Sequence, residues 1–181
     1  VVILTANLIV LVRLAGVAAI VQPGILPTLL PVLGSGLLAG VAFATYAWRK
    51  LDGSNELPEL DLRNPTELGT ALTFGAVYAV VLLLSAALSA ALSDHAGSLG
   101  LYAVAVVSGL TDVDAITLSS LRLFGQGKLA AEEATTAILL AMLANLVFKL
   151  GIVISVAGRA LALRIVSGFL AVAVGCVAGW M

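Results

Sequence analysis

The chain of 181 residues is 61% hydrophobic and only 10% charged, with a mean hydropathy of +1.17. A soluble domain is about 45–50% apolar and about 25% charged, so this chain has too little polar surface to be one, and its successive apolar runs are each long enough to cross the roughly 30 Å hydrocarbon core as a helix. Nine basic against ten acidic residues exclude the basic face of a nucleic-acid binder, and the single Cys176, inside an apolar run, excludes a disulfide framework and a cysteine-built zinc site.

The pattern is that of an all-α, polytopic transmembrane helix bundle occupying residues 1–181 as one integral membrane domain, with about six segments. Richness in Ala, Leu, Val and Gly with 6% aromatics favours helices packed through small side chains over a β-barrel. The first segment runs from Val1 to about Val21 and carries Arg13; no basic stretch or cleavage site marks a signal peptide. With no initiator methionine, the chain reads as a piece of something longer. Gln22-Pro23-Gly24 makes a turn, and the second segment follows from about Leu26 to Trp48, with Pro27 and Pro31 near its start, where proline is best tolerated.

Residues 49–67 are the one long polar stretch, expected as a cytoplasmic loop. Its end, Asn64-Pro65-Thr66-Glu67, reads as a capped helix start. The third segment reaches about Ser93, and Asp94 and His95 fall in a short connection. The fourth, from about Leu99 to Phe124, is interrupted by polar residues. After Gly125-Gln126-Gly127-Lys128 the fifth runs from about Ala130 to Val156, with Glu132 and Glu133 suited to its N-terminus. Gly158 and Arg159 turn into the sixth, from about Leu161 to Met181. Arg49, Lys50, Arg63, Arg122 and Lys128 follow the second and fourth segments, which makes that side cytoplasmic by the positive-inside tendency and places both chain ends there.

Two short matches suggest a repeat. Ala6-Asn7-Leu8 recurs as Ala144-Asn145-Leu146, 138 residues on, and Gly36-Leu37-Leu38-Ala39-Gly40 recurs as Gly175-Cys176-Val177-Ala178-Gly179, 139 on. With six simple crossings both pairs run the same way, so the expected repeat is parallel, residues 1–48 matching 130–181 within a second half that spans 68–181. Gly36, Gly40, Gly175 and Gly179 would permit close helix approach, within one protomer or between protomers of a dimer.

Four charges fall inside segments: Arg13, Asp112, Asp114 and Lys149. Intramembrane charges are functional candidates, although buried pairs also serve only to fix helix register. Asp112 and Asp114 are two apart and cannot share one face of a regular helix, so a broken helix near Gly109 is expected. Such a break would gather Thr111, Thr117, Ser119 and the carboxylates, with Asn145 of the fifth segment as a further oxygen ligand, a hard set suited to Mg²⁺ or another divalent cation. An unbroken helix would make the same residues a small polar packing stripe. Lys149 shares a face with Asn145 and could pair with either aspartate, Arg13 is a further charge partner, and Asn7 is the repeat-equivalent amide. No nucleophile–base set or phosphate loop is present, so no enzyme is expected.

The run Ser108-Gly-Leu-Thr-Asp-Val-Asp-Ala-Ile-Thr-Leu-Ser119, with Asn64-Pro65-Thr66-Glu67-Leu68 and Ala144-Asn145-Leu146 with Lys149, resembles a bacterial family of unknown function, DUF4010, which forms the C-terminal part of many MgtC/SapB-type membrane proteins. The resemblance implies a bacterial inner-membrane protein, a Ser/Thr-rich counterpart of the aspartate motif before Val1, association with an N-terminal MgtC-like domain, and a link to Mg²⁺ handling. Two functions remain open: a transporter or channel-like protein for a small ion, and a non-transporting interaction or regulatory module. The expected partners are the lipid bilayer and either a second copy, as a dimer, or an MgtC-like domain; the regulatory reading adds other membrane proteins.

Overall fold

A computed structural model describes residues 2–51 and 98–181, together with isolated helical residues between 72 and 87; the side chains at 155–164 are not among those described. Five α-helices make up the described parts: α1 (Val2–Val21), α2 (Leu26–Leu51), α3 (Ser98–Thr111), α4 (Val113–Gly125) and α5 (Ala131–Trp180). The expected loop at 49–67, the cap at Asn64, the body of the third segment and His95 lie largely outside the described residues.

Among the described residues three helical stretches are long and apolar enough to span a membrane: Val2–Val21, Pro23–Arg49 and Ala131–Ile154. Leu99–Thr111 and Ile165–Trp180 are shorter apolar helices. The expected fourth segment is two short helices that meet at Asp112. Pro23 opens a single 3-10 turn, Pro23–Ile25, that reverses the chain between α1 and α2. Pro31 lies inside α2 rather than in its first turn. It has no N–H for the preceding turn, and the Ser35 hydroxyl donates to its carbonyl at 2.6 Å.

The 50 residues of α5 would form a straight rod of about 75 Å at 1.5 Å per residue. Yet the Trp180 indole N–H donates to the Thr136 hydroxyl at 3.0 Å. The chain thus doubles back, and α5 consists of an N-terminal arm (Ala131–Ile154) and a C-terminal arm (Ile165–Trp180) lying antiparallel. This reversal takes the place of the turn expected at Gly158 and Arg159.

One end of the bundle gathers the α1–α2 turn, the end of α4 and both termini of α5. There the Phe124 ring packs at Gly24, Gln22 lies against Gly125, and the Thr28 and Thr135 hydroxyls are 3.1 Å apart. We call this the turn end. The opposite end holds Leu4 and Phe43 beside Gly168. Two orientation expectations are corrected by this arrangement. Arg122 and Lys128 belong to the turn end and Arg49 to the other, so they cannot be counted on one side. The start of α1 and the end of α5 lie at opposite ends of the bundle, whereas the sequence reading placed both on one side.

The repeat is likewise corrected from parallel to antiparallel. The C-terminal arm runs against α2 in the opposite direction, Gly179 meeting Pro31 and Ser35, Cys176 meeting Gly36, Val172 meeting Gly40 and Gly168 meeting Phe43. The two Gly-xxx-Gly motifs thus pack on each other about an approximate two-fold axis, Gly36 against Gly175 and Cys176. The parallel expectation failed because α1 finishes at the turn end, where the N-terminal arm starts. A Cβ on Gly36 would overlap the Cys176 sulfur, and one on Gly175 would overlap Ala39 and the Ser35 carbonyl. Close helix approach needs such bare backbone. Leu11, Leu14, Leu29, Ile138 and Val172 fill the core around this seam.

Thermal unfolding in detergent checks the seam. Gly175→Val is expected to cost about 1–3 kcal/mol through overpacking. Gly16→Ala, at a position with no neighbour within 4 Å, is expected to cause no loss.

Candidate functional site

α3 and α4 meet at one extended residue, Asp112 (φ −145°, ψ 112°). Its N–H closes the last turn of α3 by donating to the Ser108 carbonyl at 2.8 Å. Its carboxylate then caps α4, Oδ1 accepting from the Asp114 N–H at 2.8 Å. Aspartate suits this position because it satisfies an orphan donor and lies at the positive end of the helix dipole. Asp112 is exposed, with its second carboxylate oxygen outside that capping bond. The break expected from the spacing of the two aspartates is present, and it lies at Asp112 itself.

Gly109, expected to loosen the helix, instead remains helical. A Cβ there would overlap the Ala141 backbone, so its bareness serves close contact between α3 and α5. Its carbonyl accepts from Asn145 Nδ2 at 3.1 Å. Thr111 donates to the Ser108 carbonyl at 3.2 Å and buried Thr117 to the Val113 carbonyl at 2.7 Å. These hydroxyls are turned onto their own helices rather than toward the carboxylates, and Ser119 is exposed farther along α4.

Arg13 of α1 reaches Asp114. A single guanidinium nitrogen, Nη2, lies 2.7 Å from Oδ1 and 2.6 Å from Oδ2. The side chains are 54% and 39% exposed, so the pair sits at the edge of the packed region rather than sealed within it. Lys149 takes a different partner from the aspartate expected: its ammonium donates to Asn7 Oδ1 at 2.8 Å, while Asn7 Nδ2 donates to the Ile3 carbonyl at 2.9 Å. Lys149 is still within electrostatic reach of Arg13 and Asp114. The repeat-equivalent amides thus do separate work, Asn7 holding a lysine and Asn145 a backbone carbonyl.

Beside the ion pair lies a groove of about 190 Å³, lined by Arg13, Leu14, Val17, Asp114, Thr117 and Leu118. At about 30 Å³ per liquid water it has room for several. Buried Ser120 on α4, whose hydroxyl lacks a hydrogen-bond partner among the described residues, was not singled out by sequence and carries no motif that could have flagged it. Among the described residues no three His, Cys, Asp or Glu side chains converge. Both Asp114 oxygens face the Arg13 guanidinium, so of the two aspartates only Asp112 has a carboxylate outside the ion pair.

Stability measurements can separate these roles. Asp112→Ala is expected to lose the cap, costing about 0.5–2 kcal/mol, and Asp112→Asn to retain most of it. Asn7→Leu leaves Lys149 without the Asn7 oxygen that accepts from it and is expected to destabilise more than Asn7→Leu combined with Lys149→Met in the same unfolding assay.

The family model that matches residues 1–157 is described as "Domain of unknown function (DUF4010)". An "Uncharacterized protein" of Aquifex aeolicus (strain VF5) is 34% identical over 110 residues, 60% of this chain and 46% of that protein. The matched region therefore spans less than half of that relative. No solved structure matches.

Proposed function

We propose that this chain, which belongs to the DUF4010 family and inherits from it no named activity, is a transport or channel-like membrane protein for a small ion. The reading rests on one observation: a helix broken at a single aspartate, its carboxylate exposed, beside a partly exposed ion pair and a groove. Discontinuous helices of this kind place helix termini and freed polar groups where ions bind in transporters. A hydrated divalent cation such as Mg²⁺ is the ligand that Asp112 and Asp114 suit. Arg13 is the counter-ion that neutralises Asp114 while the site is empty, the role that sequence had also offered to Lys149. Asn7 then holds Lys149 near the site as a second positive charge.

The second reading is a non-transporting regulatory or interaction module, and a specific observation favours it. Asp112, Asp114, Lys149, Asn7 and Asn145 each already have a partner, as a purely structural network would. Placement in a bacterial inner membrane, association with an MgtC-like domain or a second copy, and absence of enzymatic chemistry complete the proposal.

Flux of Mg²⁺ into reconstituted vesicles distinguishes the two readings. Transport predicts that the Asp112→Asn/Asp114→Asn variant falls to the level of empty vesicles while remaining folded. The regulatory reading predicts equal flux from variant and wild type, with a change confined to thermal stability.

A further inference from the structure

The direction of α3 carries a consequence for access to Asp112. In a helix, carbonyls point toward the C-terminus and Cβ atoms toward the N-terminus. The Cβ position of Gly109 falls on Ala141, whereas the Gly109 carbonyl accepts from Asn145, one turn later in α5. Moving toward the C-terminus of α3 therefore also moves toward the C-terminus of the N-terminal arm. The two run in the same general direction. That arm starts at the turn end, where Thr135 meets Thr28. α4 returns to the turn end, where Phe124 packs at Gly24 and Gln22 lies against Gly125. A tight stop closes it there: the Gly127 and Lys128 N–H groups donate to the Phe124 and Leu123 carbonyls at 2.9 Å each, with Gly127 at φ +68°.

We infer that α3 and α4 form a re-entrant hairpin that enters and leaves at the turn end, with Asp112 at its tip, and that a small hydrated cation reaches Asp112 and Asp114 from that end alone. Lengths agree. The 14 and 13 residues of α3 and α4 extend about 20 Å each, enough to pass the midplane and too short to cross a roughly 30 Å core. The groove supplies the path. From the ion pair its walls run through Leu14 and Val17 of α1 and Thr117 and Leu118 of α4, both toward the turn end. Irregular backbone at membrane depth is tolerated where it is buried in protein or lines such a cavity. The topology stands on contacts alone; the identity of the ligand rests on the transport reading.

Topology and ligand access are measured separately, on a Cys176→Ala background. Leu99→Cys and Gln126→Cys flank the hairpin at exposed positions. A membrane-impermeant maleimide is applied to sealed vesicles of each orientation, with detergent-opened vesicles as the reference for full labelling. The hairpin predicts that both cysteines react from the same side. Labelling from opposite sides would show α3–α4 to be a crossing and overturn it. Asp112→Cys then tests the path: a small cationic thiol reagent is expected to react from the side that labels Gln126→Cys, and reaction only from the other side would overturn the access route. Neither measurement uses flux, so a protein that moves no Mg²⁺ could still show both results.

Discussion

A charge or a free peptide group inside hydrocarbon must find its partner in the protein, and the organisation of this molecule follows from how that requirement is met at Asp112. One extended residue frees donors at the start of α4, and the same residue's carboxylate takes one of them. The next acidic residue, Asp114, receives Arg13 from α1, and this pair joins the broken helix to the first span. Asn145 satisfies the Gly109 carbonyl on the other side of the break. The last two of these contacts join helices that are far apart in sequence, so the break acts as a junction of α1, α3, α4 and α5.

The glycine seam is the apolar counterpart of that junction. Between membrane helices there is little hydrophobic gain to be had, because lipid tails are as apolar as leucine, and association depends on close packing. Gly36, Gly175 and Gly179 let α2 and the C-terminal arm approach until backbone meets backbone, and Gly40 makes room for the Leu8 and Val172 side chains. Their antiparallel sense makes the two matched stretches an inverted arrangement, and both glycine motifs are used within one chain. The charged cluster and the seam lie on different helix pairs, which leaves the ion pair free of the tightest packing and partly exposed.

Much of this was legible in the sequence. Asp112 and Asp114, two residues apart and unable to share one helical face, pointed to a break over the unbroken alternative, and the break is there. Arg13, Asp114 and Lys149 stood out as intramembrane charges, and the three lie within electrostatic reach of one another. What sequence could not supply was direction. Hydropathy records that Leu99–Phe124 is apolar and says nothing of whether it crosses or turns back, and the parallel repeat and the side assigned to Lys128 both rested on six simple crossings. Partner choice was hidden for a related reason: Asn145 and Lys149 share a face four residues apart, yet small offsets send one to Gly109 and the other to Asn7. The 50-residue helical run shows the same limit, since only the Trp180–Thr136 contact reveals that it folds back.

The central claim is that Arg13 and Asp114 are one unit, and exchanging their charges tests it most directly. Thermal unfolding of purified protein is measured for Arg13→Asp, for Asp114→Arg and for the exchange of both. The first change places a third carboxylate beside Asp112 and Asp114, and the second gathers two cations near Lys149. Each single change is expected to lower the midpoint, and the double exchange to recover a substantial part of the loss, because opposite charges again face each other across α1 and α4. Losses that simply add in the double variant, or single changes that leave the midpoint unmoved, would contradict the account.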